Sequence, residues 1–249
     1  MPPDPGNDMA VENGQVLKVR RLCRYFGGVK ALDGLDFHVM KGEIHCIVGP
    51  NGAGKSTLFR LLMGLERPTS GEIILKGQNI TRSPPFQRAR LGLSIKYQNI
   101  RVFPDLAVYQ NLFIPLRRHV PSARIPAEAE ALLSLIQLDG AQEVMVRNLS
   151  HGQQQWLSIA MALATQPEVL LLDEPVAGMS AGESEKTADI IRNLNRRGVT
   201  IVLIEHDMEF VRSLSARTSV FHLGRLFAQG SFREIEANEA VHQIYLGKR

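Results

Sequence analysis

The sequence has few cysteines and no long apolar run. Its two cysteines, Cys23 and Cys46, both lie within apolar stretches of the 249-residue chain. So few cysteines exclude a disulfide framework and predict reduced core thiols. No segment approaches the roughly 18 consecutive apolar residues of a membrane span, and the polar, proline-rich start is unlike a signal peptide. We therefore expect a cytosolic protein that reaches a membrane only through a partner.

The sequence also lacks a strong excess of either positive or negative charge. The 29 lysines and arginines exceed the 25 aspartates and glutamates by only four, and no basic block stands out. We interpret this scattered excess as solvated surface, which argues against a nucleic-acid partner. The length suits one large domain or two small lobes. We expect residues 1–14 to form a disordered tail and residues 15–249 to form the folded domain.

A phosphate-binding loop stands out near residue 50. The stretch Gly-Pro-Asn-Gly-Ala-Gly-Lys-Ser-Thr follows an apolar strand, Ile44–Val48, and precedes a helical pattern over Ser56–Leu65. Glycines let backbone N–H groups approach a triphosphate, the lysine reaches the β- and γ-phosphates, and the serine ligates Mg²⁺. The sequence therefore predicts ATP and Mg²⁺ bound by Gly49, Pro50, Asn51, Gly52, Ala53, Gly54, Lys55, Ser56 and Thr57.

The rest of the chain alternates strand and helix patterns. Strands are predicted at Val16–Phe26, at 35–39 and at 72–75, and a helical region runs from Leu106 to about Asp139. In that region we expect Pro115, Pro121 and Pro126 to break the helices, and Ala129, Leu132, Leu133 and Ile136 to form a core stripe. Apolar strands at 169–172 and 199–204, a helix at 181–196 and a hairpin over 218–229 follow. Continuous apolar strands between helices predict an α/β fold with a parallel sheet.

Two carboxylates end the apolar strand at 169–172. Asp173 would be unfavourable there without a cation, so we predict that it shares Mg²⁺ with Ser56; a turn or capping aspartate is the alternative. Glu174 is adjacent and faces the other way. It could orient and deprotonate an attacking water, as a general base does.

Two further polar residues follow strand patterns. In a parallel sheet, residues at the carboxyl ends of strands share one edge. His206 should therefore lie near the phosphate loop and contact the γ-phosphate or the attacking water, although a lone histidine is often structural. Gln98 could offer its amide oxygen to Mg²⁺ or water, although an isolated glutamine is often only a surface residue.

A second helix start has the features of an anion site. Ser150 suits the N-cap of a helix whose buried face would carry Trp156, Ile159, Ala160 and Leu163. The start comprises Ser150, His151, Gly152 and Gln153, whose N–H groups and hydroxyl can bind a phosphate. One chain already has a phosphate loop, so this second site suggests the nucleotide of a neighbouring subunit.

In this order the motifs resemble those of the nucleotide-binding subunit of ATP-binding cassette transporters, over about Val16 to Leu246. The resemblance implies a P-loop ATPase with a RecA-like parallel-sheet core, a small antiparallel β subdomain and a helical subdomain at about 99–160. It also implies that Phe26, with Tyr25 as second choice, stacks on adenine. The stretch Leu149–Gln153 resembles the signature motif.

The resemblance also implies partners and a location. These are a second ATP-binding subunit, in a homo- or heterodimer, transmembrane permease subunits, and indirectly a substrate-binding protein, at the cytoplasmic face of the membrane. The strings at 149–156 and 176–180 are similar to those of urea and short-amide importers, and 26–32 is similar to branched-chain amino acid importers. Two positions depart from the family: His151 replaces the usual glycine, and Ser180 a frequent aspartate.

Three alternatives use the same phosphate loop. An exporting cassette for lipid or polysaccharide would carry the same motifs. A soluble cassette ATPase acting on nucleic acid or ribosomes usually has two cassettes or a long coiled-coil insertion, and neither is present here. A phosphate-loop kinase leaves Leu149–Gln153 unexplained.

Overall fold

A computed structural model describes residues 14–246 of the chain. The predicted tail, apart from Gly14, lies outside the described residues. The strands within them are β1 Gln15–Phe26, β2 Val29–Met40, β3 Ile44–Val48, β4 Ser70–Leu75, β5 Gln78–Asn79, β6 Leu93–Lys96, β7 Val169–Asp173, β8 Thr200–Ile204, β9 Arg217–His222 and β10 Arg225–Ser231. The helices are α1 Lys55–Leu62, α2 Pro85–Arg90, α3 Val108–Leu116, α4 Ile125–Leu135, α5 His151–Leu163, α6 Ala181–Arg196, α7 Met208–Leu214, α8 Phe232–Glu236 and α9 Glu239–Leu246.

The main sheet has six strands in the order β10-β9-β3-β8-β7-β6. Strands β9, β3, β8, β7 and β6 run parallel to their neighbours, and β10 joins the edge antiparallel. Strands β7 and β8 are fully buried along their length, which explains why their sequences are apolar without alternation. The predicted α/β fold with a parallel sheet is confirmed.

A second sheet is antiparallel and has the order β2-β1-β4-β5. Strand β2 buries Leu35, Phe37 and Val39 and leaves Asp36 exposed, as the alternating pattern predicts. These side chains share a core cluster with α1, so the second sheet covers the helix that follows the phosphate loop. This sheet is the antiparallel β subdomain that the resemblance implies.

Helices α3, α4 and α5 form a lobe beside the main sheet. Their buried side chains, including Leu112, Leu133 and Ile159, belong to one cluster with the sheet residues Leu170 and Leu172. The predicted stripe packs into this cluster: Ala129, Leu133 and Ile136 are buried and Leu132 is partly buried against it.

Several local predictions need correction. Helix α1 ends at Leu62, and Leu65 is 43% exposed, so Leu65 is not on its buried face. Pro115 lies inside α3 and does not break it, whereas Pro126 occupies the first turn of α4. Both cysteines are free, but only Cys46 is buried; Cys23 is half-buried, so the prediction of a core thiol is wrong there.

None of the helices over residues 14–246 is both long and apolar enough to cross a bilayer.

Candidate active site

The phosphate loop connects β3 to α1, as predicted. Gly49 has a φ of 148°, and a Cβ there would lie 2.2 Å from the carbonyl oxygen of Phe221, so the loop requires glycine at this position. Lys55 is buried at the helix start, and its Nζ donates to the carbonyl oxygens of Gly49 at 2.5 Å and Pro50 at 3.0 Å. Burial lowers the pKa of Lys55, and Glu174 and Asp173 oppose that shift. The lysine therefore already lies over the loop that it would serve.

Asp173 ends β7 beside this loop. Only 9% of it is exposed, and its Oδ1 is buried with no hydrogen-bond partner within the described chain. Burial and the neighbouring Glu174 raise the pKa of Asp173, whereas Lys96, His206 and Lys55 lower it. A buried carboxylate oxygen without a donor is suited to a cation.

The other predicted magnesium ligands lie close to Asp173. Ser56, Gln98 and Asp173 line one cavity of about 220 Å³ between α1 and the end of β6. Hydroxyl, amide and carboxylate oxygens are the donors that Mg²⁺ binds in nucleotide sites. Among residues 14–246 no group of three His, Cys, Asp or Glu could hold a metal. A cation would therefore depend on this mixed set, which fits Mg²⁺.

Glu174 lies at the centre of a hydrogen-bonded group. Its Oε1 is 2.6 Å from His206 Nε2, and its Oε2 accepts from Gln98 Nε2 at 2.7 Å. Its backbone φ is 46°, a left-handed value that costs a side-chain-bearing residue about 1–3 kcal/mol. Its N–H donates to the carbonyl of Ile204 at 3.0 Å, which fixes it to the end of β8. The structure thus brings Glu174, Gln98 and His206 together, as their positions after strands predict.

Two buried charged side chains, Lys96 and Glu205, hydrogen-bond to the backbone at this turn and beside it. Lys96 is 1% exposed, and its Nζ donates to the carbonyl oxygens of Asp173 and Glu174 at 3.3 Å each. Burial lowers the pKa of Lys96 to about 8, although nearby carboxylates oppose that shift. Glu205 is also buried; it accepts from the N–H groups of Val176 at 3.2 Å and His206 at 3.0 Å. Burial raises the pKa of Glu205, and those N–H groups oppose the rise.

Sequence reasoning missed both Lys96 and Glu205. Each lies close to a residue that it singled out: Lys96 two positions before Gln98, and Glu205 directly before His206. A lysine in the strand pattern with Leu93 and Ile95 was the available signal, because an unpaired charge is rarely buried in a strand. Their contacts with Glu174 and its neighbours make them part of the site.

The signature-like helix start is built as predicted. Ser150 is the N-cap of α5: its Oγ accepts from Gln153 N–H at 3.2 Å, and Gln153 Oε1 accepts from Ser150 N–H at 2.9 Å. His151 Nε2 lies 3.1 Å from the carbonyl oxygen of Ala177. A Cβ at Gly152 would lie 2.3 Å from Glu183 Oε1. The start of α5 therefore packs against the segment 177–183.

The two residues predicted for adenine differ in their surroundings. Phe26 ends β1 and is 42% exposed, and the guanidinium of Arg24 lies 4.3 Å from its ring centroid. Tyr25 is half-buried, and its hydroxyl donates to Asp33 Oδ1 at 2.7 Å. Phe26 thus has the more accessible ring, which agrees with its place as first choice.

Comparison with known proteins identifies the family. Residues 32–177, more than half of the chain, match the family model described as ABC transporter. The chain is 36% identical over 251 residues to the high-affinity branched-chain amino acid transport ATP-binding protein LivG of Escherichia coli, covering 94% of this chain and 98% of LivG. It is 34% identical to BraF of Pseudomonas aeruginosa, with the same coverage. A sulfate/thiosulfate import ATP-binding protein of Chromobacterium violaceum is 38% identical, but the chain spans only 61% of its length.

Solved structures agree with the family assignment. A nucleotide-free ATP-binding cassette from an ABC transporter superposes with a TM-score of 0.85 at 26% identity, covering 94% of this chain and all of that one. The ADP conformation of MJ1267, another such cassette, gives a TM-score of 0.86 at 25% identity, covering 94% of this chain and 99% of that one. The chain therefore belongs to the ABC transporter family and is an ATPase of that family.

Proposed function

We propose that this chain is the ATP-hydrolysing subunit of an importer for urea, short amides or branched-chain amino acids. LivG and BraF, related over nearly their whole length, are transport ATP-binding proteins for branched-chain amino acids. The strings at 149–156 and 176–180 are similar to those of urea and short-amide importers, which keeps these substrates in the proposal. The transport names of LivG and BraF disfavour a soluble cassette acting on nucleic acid, and the import name of the sulfate/thiosulfate relative favours an importer over an exporter.

The contacts of Glu174 are the observation that carries the proposal. In this mechanism its carboxylate accepts a proton from the attacking water, while Gln98 and His206 fix its orientation. Lys55 would turn from the carbonyls of its own loop to the β- and γ-phosphates. Magnesium, when bound by Ser56, Gln98 and Asp173, would neutralise charge on the phosphates.

The second half of each nucleotide site would come from another subunit. The start of α5 has a capping serine and helix N-terminal N–H groups of the kind that suit a phosphate, and within the chain it contacts the segment 177–183. We propose a head-to-tail dimer, with the same or a different ATP-binding subunit, in which α5 faces the partner's ATP. Binding would close this dimer, and hydrolysis would reopen it.

A permease would receive this motion through the helical lobe. Phe103, Phe113 and Ile114 of the lobe are 47%, 38% and 40% exposed, which gives it an apolar surface beside the segment 99–112. We propose that this surface contacts transmembrane permease subunits at the cytoplasmic face of the membrane. A substrate-binding protein would act on the same permease from the other side.

The change Glu174→Gln tests the catalytic proposal. The amide is the same size but a poor base, so ATP should still bind while hydrolysis falls by about 10²–10⁴-fold. Dimers should accumulate with ATP, measured by light scattering with the full chain. Glu185→Gln, an exposed change on α6, is the matched control. Wild-type turnover by Glu174→Gln, with ATP regenerated, contradicts the role of Glu174.

Isolation of partners from membranes tests the transport proposal. The full chain should co-purify with a permease, and uptake with that permease should be measured for urea, short amides and leucine. Uptake of one of these, lost with Glu174→Gln, supports the assigned substrate class. Co-purification with nucleic acid or ribosomes, without a permease, favours the soluble alternative instead.

A further inference from the structure

The histidine that departs from the family's signature makes a specific contact. His151 Nε2 lies 3.1 Å from the carbonyl oxygen of Ala177. A carbonyl oxygen only accepts, so Nε2 must carry the hydrogen and act as the donor. The ring also lies over Gly178, where a Cβ would be 3.3 Å from Nε2. Glycine at 151 would provide neither the donor nor the ring.

Two more contacts join helix α5 to Glu183 and Thr187 of helix α6. Glu183 lies against Gly152 and also caps α6: Ser180 N–H donates to Glu183 Oε2 at 3.0 Å, and Ser180 Oγ donates to the same oxygen at 2.9 Å. One turn further along α5, the buried Trp156 Nε1 donates to Thr187 Oγ1 at 2.8 Å. The two family departures, His151 and Ser180, therefore meet at one junction between α5 and α6.

This junction is continuous with the proposed catalytic turn. The segment that accepts from His151 begins directly after Glu174, and Ala177 N–H is 3.4 Å from the carbonyl oxygen of Glu174. Val176 N–H donates to Glu205, which also accepts from His206 N–H. A displacement of the start of α5 would thus reach Glu174 through a few short contacts.

We propose that His151 is a positioning residue that couples the start of α5 to the Glu174 turn of the same chain. The inference rests on the proposed function, in which α5 contacts the partner subunit's ATP. When the partner's ATP is bound, the start of α5 would hold the Ala177 carbonyl in place through His151. Glu174 would then be held in position to hydrolyse this chain's own ATP. Gln153, another polar side chain at this start, accepts from Ser150 N–H and so caps its own helix.

Paired substitutions at 151 separate hydrogen bonding from packing. The side-chain amide of His151→Gln can donate from a position similar to Nε2, whereas His151→Leu has similar bulk and no donor. We expect His151→Leu to lower kcat about ten-fold, because the loss of this hydrogen bond would leave Glu174 less well positioned in the transition state. His151→Gln should retain kcat within about three-fold, and KM should change by less than about two-fold in both. His119→Leu, an exposed histidine after α3, is the control.

Hydrogen exchange of the free chain gives a readout that does not depend on a partner. The amides of 177–180 should exchange faster in His151→Leu, by about ten-fold, and at the wild-type rate in His151→Gln. Equal exchange and equal kcat in His151→Leu and the wild type overturn the proposal. Equal impairment of the two 151 variants also overturns it, because the donor would then not matter.

The Glu174→Gln variant separates the two failures. If Glu174→Gln hydrolyses ATP normally and forms no dimer with ATP, the proposed function itself fails. If Glu174→Gln behaves as expected while His151→Leu matches the wild type in exchange and kcat, only the coupling fails. A parallel fall in melting temperature, kcat and dimer formation for His151→Leu would show a folding defect and overturn a positioning role.

Discussion

Replacing Lys96 by methionine tests whether the buried ammonium positions the turn that carries Glu174. Methionine keeps most of the apolar stem and removes the charge and its hydrogen bonds. Lys96 is almost fully buried and reaches the two consecutive carbonyls of Asp173 and Glu174. The change therefore alters this turn directly, through the two hydrogen bonds that it removes.

Two effects on stability oppose each other in this variant. Burial lowers the pKa of Lys96 from 10.5 to about 8, so the charged form disfavours folding at pH 7 by roughly 3 kcal/mol. Methionine removes that penalty. It also removes two charge-assisted hydrogen bonds, which at 3.3 Å are near the weak end of the range, about 1.5 kcal/mol each. The two effects are similar in size and opposite in sign, so the free energy of unfolding should change by less than about 3 kcal/mol.

Activity should fall whichever of the two effects on stability is larger. Glu174 has a φ of 46°, which relaxes toward ordinary values unless its surroundings hold it. A displacement of about 1 Å at a reacting group can reduce the rate about 100-fold, so we expect kcat to fall by about 10- to 100-fold. KM should stay within about three-fold, because ground-state binding is not altered.

The assay combines ATPase rates with urea unfolding in the absence of nucleotide. Lys76→Met is the matched control, since Lys76 pairs with Glu168 at the surface. Its kcat should match that of the wild type, and its free energy of unfolding should match within about 1 kcal/mol. Wild-type kcat in Lys96→Met would refute the reasoning. So would a loss of kcat that matches a loss of folded protein.

Two further predictions concern stability. Trp156→Phe removes the buried bond to Thr187 and should lower the free energy of unfolding by about 1–3 kcal/mol, seen as a lower urea midpoint with an unchanged slope. A hydrogen bond from Arg225, with a second from the Tyr25 hydroxyl, holds the pKa of Asp33 down at about 2, against a usual 3.8. Since the unfolded chain then binds more protons between these values, this contribution is complete above about pH 4 and lost toward pH 2. Asp33→Asn should therefore be less stable than the control Asp139→Asn at pH 6, with a gap that narrows as the pH falls; a constant gap contradicts it.

Periodicity was enough to predict the elements of the main sheet. Strands β7 and β8 are buried at every residue, and helix α6 is buried along one face, so each has a regular sequence pattern. The predicted range 181–196 matches α6. The prediction that Leu65 lies on the buried face of α1 was wrong because the helix ends before Gly64, which has a φ of 73°. The prediction that Pro115 breaks the helix was wrong because Pro115 is the next-to-last residue of α3. It lacks an N–H and so forgoes one helical hydrogen bond, but only Leu116 follows it in the helix.

The candidate site was partly predictable for a topological reason. Residues that follow parallel strands meet at one edge of the sheet, so Gln98, Glu174 and His206 could be grouped without coordinates. Lys96 could not be assigned to the site in this way, because its role depends on the register between β6 and β7. Lys96 pairs with Leu172 and so reaches the carbonyls of the next two residues, Asp173 and Glu174. Sequence alone does not give the register between β6 and β7.

The charges of the site indicate why nucleotide and a divalent cation would bind together. Asp173, Glu174 and Glu205 contribute three formal negative charges, and the buried Lys55 and Lys96 contribute two positive ones. ATP would add negative charge to a site that is already negative on balance, and in a buried setting such repulsion is weakly screened. A cation beside Asp173 would offset this repulsion and supply the partner that its Oδ1 lacks within the described chain. The same buried carboxylate that raises the energy of the free site would therefore favour binding of a metal together with the nucleotide.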